Sequence, residues 1–127
     1  MKKLLFLLAF VIFTNLGYSQ KLKTYYVNGE GKKSSKVFAK FKRTVQNQND
    51  IWVVRDYYLN DSIQMTGNFL DKNLTQKTDT LKHFFPNGNL SSISVYKNNV
   101  LNGNLKSYYV TGNISKSANY SMNVPTG

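Results

Sequence analysis

The chain has 127 residues, 41% hydrophobic and 18% charged, with no cysteine. That length fits one domain of ordinary size, and the missing cysteine excludes disulfide staples and any lipid anchor built on a thiol. The formal charge of +11 is uneven: residues 21–43 hold Lys21, Lys23, Lys32, Lys33, Lys36, Lys40, Lys42 and Arg43 against Glu30 alone, while residues 44–127 are nearly balanced.

At the amino end, Met1-Lys2-Lys3 is a short positive region, followed by an unbroken apolar run from Leu4 to Phe13. Small residues at Gly17 and Ser19 then occupy the positions a signal peptidase reads. Residues 1–19 therefore read as a secretory signal peptide, and the mature protein is expected to be periplasmic or secreted, in the cell envelope. The apolar run is too short for a bilayer span, which needs about 20 residues. A mature chain without bridges suits a bacterial exported protein better than a small eukaryotic one.

In chain order, Tyr25-Tyr26 leads into Val27-Asn28-Gly29, a turn signal with Gly29 at its tip. Val37, Ala39 and Phe41 alternate with Lys40 and Lys42, as in a half-buried strand with a charged outer face. Lys32, Lys33, Lys36, Lys40, Lys42 and Arg43 are candidates for anion binding, because so many like charges create a local positive field. The plain alternative is a solvated strand face. Nucleic acid is not the expected partner, since arginines and aromatics sharing one groove are missing from this stretch.

Ile51-Trp52-Val53-Val54 continuing to Tyr57-Tyr58 reads as the next strand, and Asn60-Asp61-Ser62 as its turn. Ile63, Met65 and Phe69 mark a return strand. Leu70 to Thr80 is polar and without period, a loop ending in the start of a strand.

From Phe84 onward the sequence repeats itself. A shift of 24 residues places Phe84-Phe85 on Tyr108-Tyr109, Gly88 on Gly112, Asn89 on Asn113, Leu90 on Ile114 and Ser91 on Ser115. The same shift places Tyr96 on Tyr120, Val100 on Val124 and Gly103 on Gly127. Tyr57-Tyr58 and Tyr25-Tyr26 are fainter upstream echoes of the aromatic doublet. A unit of this length holds two short strands and two turns, with Gly88 and Gly112 at one end and Gly103 at the other supplying positive φ. One hairpin cannot bury its own apolar face, so the units must extend one sheet. The expected fold is all-β: an open, elongated antiparallel meander of stacked hairpin repeats. Residues 20–81 form its irregular part and residues 82–127 two regular units, the second incomplete.

The aromatic doublet, Asn-Gly, the following aliphatic residue, Tyr96 and Gly103 together resemble the bacterial variant of the MORN repeat. The likeness is good over residues 82–127, loose over 57–81 and slight over 21–56. Relatives of this kind include antitoxin-like repeat proteins and envelope proteins of Bacteroidetes-type bacteria, some carrying a TonB-like carboxyl-terminal domain. The resemblance implies a hairpin array with an interaction role, and neither catalytic residues nor a cofactor. The second unit breaks off at Gly127, which leads to the expectation that the chain is the amino-terminal part of a longer polypeptide or pairs its edge with a protein partner.

No constellation of catalytic residues or metal ligands stands out. His83 is the one histidine, and without cysteine a zinc site lacks ligands. Asp56 and Asp61 flank Tyr57-Tyr58, but Asp61 sits in a turn and Asp56 beside Arg55. Gly29-Glu30-Gly31 is too short for a phosphate loop. Adjacent strand residues face opposite ways, so each doublet (Tyr25-Tyr26, Tyr57-Tyr58, Phe84-Phe85, Tyr108-Tyr109) offers one ring to the core and one to the other face. The outer rings either support neighbouring strands or form a stacking ladder for a partner. Three functions follow as expectations: a non-enzymatic envelope module making protein contacts, an anion-binding surface protein using residues 21–43, and an antitoxin-like repeat protein.

Overall fold

A computed structural model describes residues 21–126; the expected signal segment and Gly127 lie outside them. The strands are β1 (Lys23–Val27), β2 (Phe41–Gln48), β3 (Ile51–Tyr58), β4 (Ile63–Phe69), β5 (Lys77–Phe84), β6 (Leu90–Lys97), β7 (Val100–Tyr108), β8 (Ile114–Ser121) and β9 (Val124–Pro125). All nine form a single open sheet in sequence order, every neighbouring pair antiparallel. The expected all-β meander is the observed fold. No helix among the described residues is long and apolar enough to cross a membrane.

Two kinds of turn recur along the meander, broken at β4–β5 by the longer loop from Leu70 to Gln76. At one end of the sheet, Asn49-Asp50, Asn98-Asn99 and Met122-Asn123 each place two consecutive residues at positive φ, the backbone of a type I′ hairpin. Asparagine and aspartate tolerate this region better than other side chains. At the other end a five-residue turn recurs. Tyr58, Phe85 and Tyr109 donate their N–H to Ser62, Asn89 and Asn113 respectively, and Asp61, Gly88 and Gly112 donate back to the first residue of each turn. Those last three residues hold φ of 70°, 90° and 99°.

A bulged residue follows each such turn: Gln64, Ser91 and Ser115 fall between paired positions where the register shifts. Tyr57, Phe84 and Tyr108 are thereby paired with Ile63, Leu90 and Ile114. The repeat is thus a structural unit of strand, turn, bulge and strand.

The first turn belongs to the same series, but in a different register from the sequence reading. Asn28 donates to Lys32 O and Gly31 donates to Asn28 O. The residue in the glycine position is therefore Gly31, with φ of 79°, while Gly29 lies mid-turn without positive φ. It follows that Val27-Asn28, not Tyr25-Tyr26, occupies the place of the later aromatic doublets.

The expected strand through Val37 also gives way. Phe38 and Ala39 donate to Ser35 O and Lys36 O, closing a 3-10 turn over Lys36–Phe38 that leaves Val37 and Phe38 exposed. The ladder begins only where Lys40 donates to Val27 O. Gly103 likewise is not a turn glycine. It sits inside β7 with φ of 134°, where Asn102, Gly103 and Asn104 oppose Val95 alone.

Neighbouring repeats are joined at both ends. Tyr58 Oη donates to Phe84 O at 2.6 Å, and the Asn87 and Asn89 amides both donate to Val110 O. At the opposite end Asn99 N–H donates to Lys77 O and Asn123 N–H to Leu101 O, the same contact one repeat later. The core occupies one face of the early sheet: Val45, Val54, Met65, Phe69 and Leu81, flanked by Tyr25, Trp52, Leu74 and Tyr96. Gly67 lies in its centre, where an added Cβ would come within 2.6 Å of Leu81 Cδ1.

A Cβ at Gly103 would approach Val95 Cβ to 2.9 Å, whereas Gly88 has open space around it. Gly103→Ala is therefore expected to cost about 2–4 kcal/mol, combining backbone strain with overlap. Gly88→Ala should cost about 1 kcal/mol from backbone strain alone. Urea denaturation of both variants measures the difference, and equal costs would argue against the bulge.

Candidate interaction surface

The register sorts every side chain onto the core face or the reverse face. One cross-strand row of the core face runs Tyr25, Arg43, Asp56, Met65, His83, Ser92. Here Arg43 Nε and Nη2 donate to the two carboxylate oxygens of Asp56 at 2.7 and 2.8 Å. Asp56 is only 4% exposed, so this bidentate pair belongs to the core rather than to the solvent. The hydrogen bond to Asp56 raises the Arg43 guanidinium above its usual range, against the opposing effect of burial.

Along the reverse face, β2 to β4 carry Lys42, Tyr57 and Ile63 in one row. Lys42 bonds the Asp61 carboxylate in the adjoining turn and lies 5.8 Å from the Tyr57 ring centre. The next row runs Thr24, Thr44, Arg55, Thr66, Lys82, Ile93, Lys106, Ser117 from β1 to β8 without a carboxylate. Among the described residues, Arg55, Lys82 and Lys106 make no ion pair. A shallow depression of about 320 Å³ lies beside Arg55, Thr66, Asn68, Thr80 and Lys82.

The basic candidates of residues 21–43 do not converge. Arg43 is committed to Asp56 on the core face and Lys42 to Asp61 on the reverse face. Lys32 pairs with Glu30, and Lys33 lies over the Tyr25 ring at 4.8 Å. Lys36 and Lys40 are exposed around the 3-10 turn.

The aromatic doublets divide as alternation requires. Tyr57, Phe84 and Tyr108 lie on the reverse face, two residues beyond Arg55, Lys82 and Lys106. Tyr58 turns to the core face and meets Phe41 edge-on at 5.8 Å between ring centres. Burial raises its phenol above the ordinary range. Phe85 and Tyr109 open the next two turns, Phe85 half-buried and Tyr109 exposed. Tyr25 and Tyr26 point to the core and reverse faces, paired with Arg43 and Lys42.

Asp56 and Asp61 are thus held by different cations, and no group of three or more acidic, histidine or cysteine side chains gathers among the described residues. His83 is half-buried, its Nδ1 3.3 Å from Ser92 Oγ. Asp71 organises the β4–β5 loop, accepting from Thr75 N–H, Thr75 Oγ and Gln76 N–H. The Thr75 hydroxyl is the main cause holding its carboxyl below the usual range. Sequence reasoning missed the cation row, although the signal was present: Arg55, Lys82 and Lys106 each stand two residues before a doublet that was recognised.

No protein-family model, curated protein or solved structure matches this chain.

Burial, with the nearby Lys77 charge, depresses the His83 imidazole below its ordinary value, and the Asp56 charge only partly opposes this. The unfolded chain then binds the proton first as pH falls, so this contribution is complete above about pH 6.5 and is lost below it. Urea midpoints should fall between about pH 7 and pH 5.5 in the parent chain, and His83→Gln should flatten that fall. An unaltered slope in the variant would show that His83 titrates as it does in water.

Proposed function

We propose that this chain is a non-catalytic repeat module of the bacterial cell envelope that joins a protein partner through the edge of its sheet. The observation that carries this reading is the state of β8. Thr126 N–H donates to Asn119 O, so the odd-numbered residues of β8 direct their backbone groups away from β7. Beyond that contact β9 pairs only Tyr120 and Ser121, leaving the Ser117 amide and carbonyl without a strand partner among the described residues.

Exposed apolar side chains stand at both ends of β8: Tyr109, Val110 and Ile114 where it begins, Met122 and Val124 where it ends, each more than half exposed. An open edge bordered by apolar residues favours addition of an extended strand, with main-chain hydrogen bonds for affinity and side-chain contacts for selectivity. The incoming strand is a segment of another protein. The MORN-like spacing supports an array role, and the Met1–Ser19 segment supports export.

A photo-crosslinking residue at Ile114 is expected to capture a protein strand in the intact cell envelope, and Ser117→Pro to abolish the capture by removing an edge donor. The same probe at Val37, exposed on the 3-10 turn, serves as the control. Equal capture at both positions, or capture unaffected by Ser117→Pro, would contradict the edge assignment.

A further inference from the structure

Apart from the β8 edge, the reverse face carries side chains that the core does not use. Its cations come from the repeat rather than from the basic segment. Arg55, Lys82 and Lys106 are linked in register through Thr66 and Ile93, so they stand on one straight row on β3, β5 and β7. Alternate strands are about 9.6 Å apart, so the row spans about 19 Å with its charges evenly spaced.

Two residues further along the same strands, Tyr57, Phe84 and Tyr108 form a parallel row of rings. Thr44 and Thr66 lie on either side of Arg55 in the cation row. A cation and a ring therefore recur together once per repeat, with threonine hydroxyls at the Arg55 end of the row.

We infer that the reverse face binds a carboxylated polysaccharide lying across the strands. The cations meet carboxylates, the rings stack on sugar faces, and the threonine hydroxyls bond sugar hydroxyls. Charge complementarity selects this occupant. A row without carboxylates, carrying one unpaired cation for every two strands, matches a sparse polyanion in which charged and neutral sugars alternate. Nucleic acid carries a phosphate about every 3.4 Å along each strand, a much denser charge than the row offers.

The surface is distinct from the β8 edge. Its cation row reaches β8 at Ser117 by a side chain on the reverse face, whereas the edge uses backbone groups.

Isothermal titration of the full chain with hyaluronate, in which carboxylated and neutral sugars alternate, is the test, beside its methyl-esterified form, oligo-deoxythymidine and phosphatidylglycerol vesicles. Binding is expected to hyaluronate and not to the ester. The triple variant Arg55→Gln, Lys82→Gln, Lys106→Gln should lose about tenfold or more in affinity. A control triple at exposed Lys21, Lys23 and Lys72, removing the same charge away from the reverse face, should change it by less than about twofold.

Circular dichroism establishes that each triple is folded. Should the first triple unfold, Lys106→Gln alone should weaken binding by about twofold or more. Equal losses in the two triples would reduce the effect to net charge and overturn the proposal. Tighter binding to the oligonucleotide or to vesicles would overturn it as well, as would an unchanged affinity in the ladder variants.

Discussion

Pleat alternation, carried in register from strand to strand, is the constraint on which the rest of this structure depends. A single-layered sheet has no second layer to correct a mistake. A slip of one residue in any pairing would send Val45, Val54, Met65 and Leu81 to the reverse face and Arg55 or Lys82 into the core. Register is fixed from both ends. Type I′ pairs, each containing an asparagine, set it at one end, and the five-residue turn with its following bulge sets it at the other. The asparagine contacts between successive turns, at Val110 and Lys77, transmit that setting from repeat to repeat.

The charge pattern follows from the same constraint. Adjacent residues Lys42 and Arg43 share a sequence cluster yet stand on opposite faces, each with its own carboxylate. Arg43 and Asp56 satisfy each other within the core, where removing one partner would strand a buried charge. A cluster dense in sequence is therefore divided by the sheet, while cations separated by 27 and 24 residues are brought into one row.

Much of the fold was legible because the alternation, the aromatic doublets and the 24-residue recurrence are all local signals. Phe84 to Gly127 declared its period through matching residue types. The first turn was misaligned because Asn28-Gly29 imitates Asn87-Gly88, whereas the turn hydrogen bonds place Gly31 in the positive-φ position. Gly103 was read as a turn glycine because it closely follows Asn98-Asn99. Its actual role depends on Val95 across the sheet, a contact that sequence spacing does not reveal. Val37 to Phe41 has a strand's alternation, but a short 3-10 turn closes there before the ladder resumes. Of the surface, the rings were visible and their faces were not. Facing depends on which positions of β3, β5 and β7 meet the core, as Val54 and Leu81 do, and the doublets themselves do not mark that.

Register across the repeat junction is tested most directly by engineered disulfides, for which a chain without native cysteine is well suited. Ile93 and Lys106 are direct cross-strand partners on the reverse face, while Leu105 is one position away on the core face. Two cysteines bridge only when their Cα atoms lie within about 7 Å and their side chains converge. Ile93→Cys with Lys106→Cys should oxidise to an intramolecular disulfide in the native protein, and Ile93→Cys with Leu105→Cys should remain reduced. The opposite outcome would mean a slipped register, and with it the core, the cation row and the ring row as described would not exist.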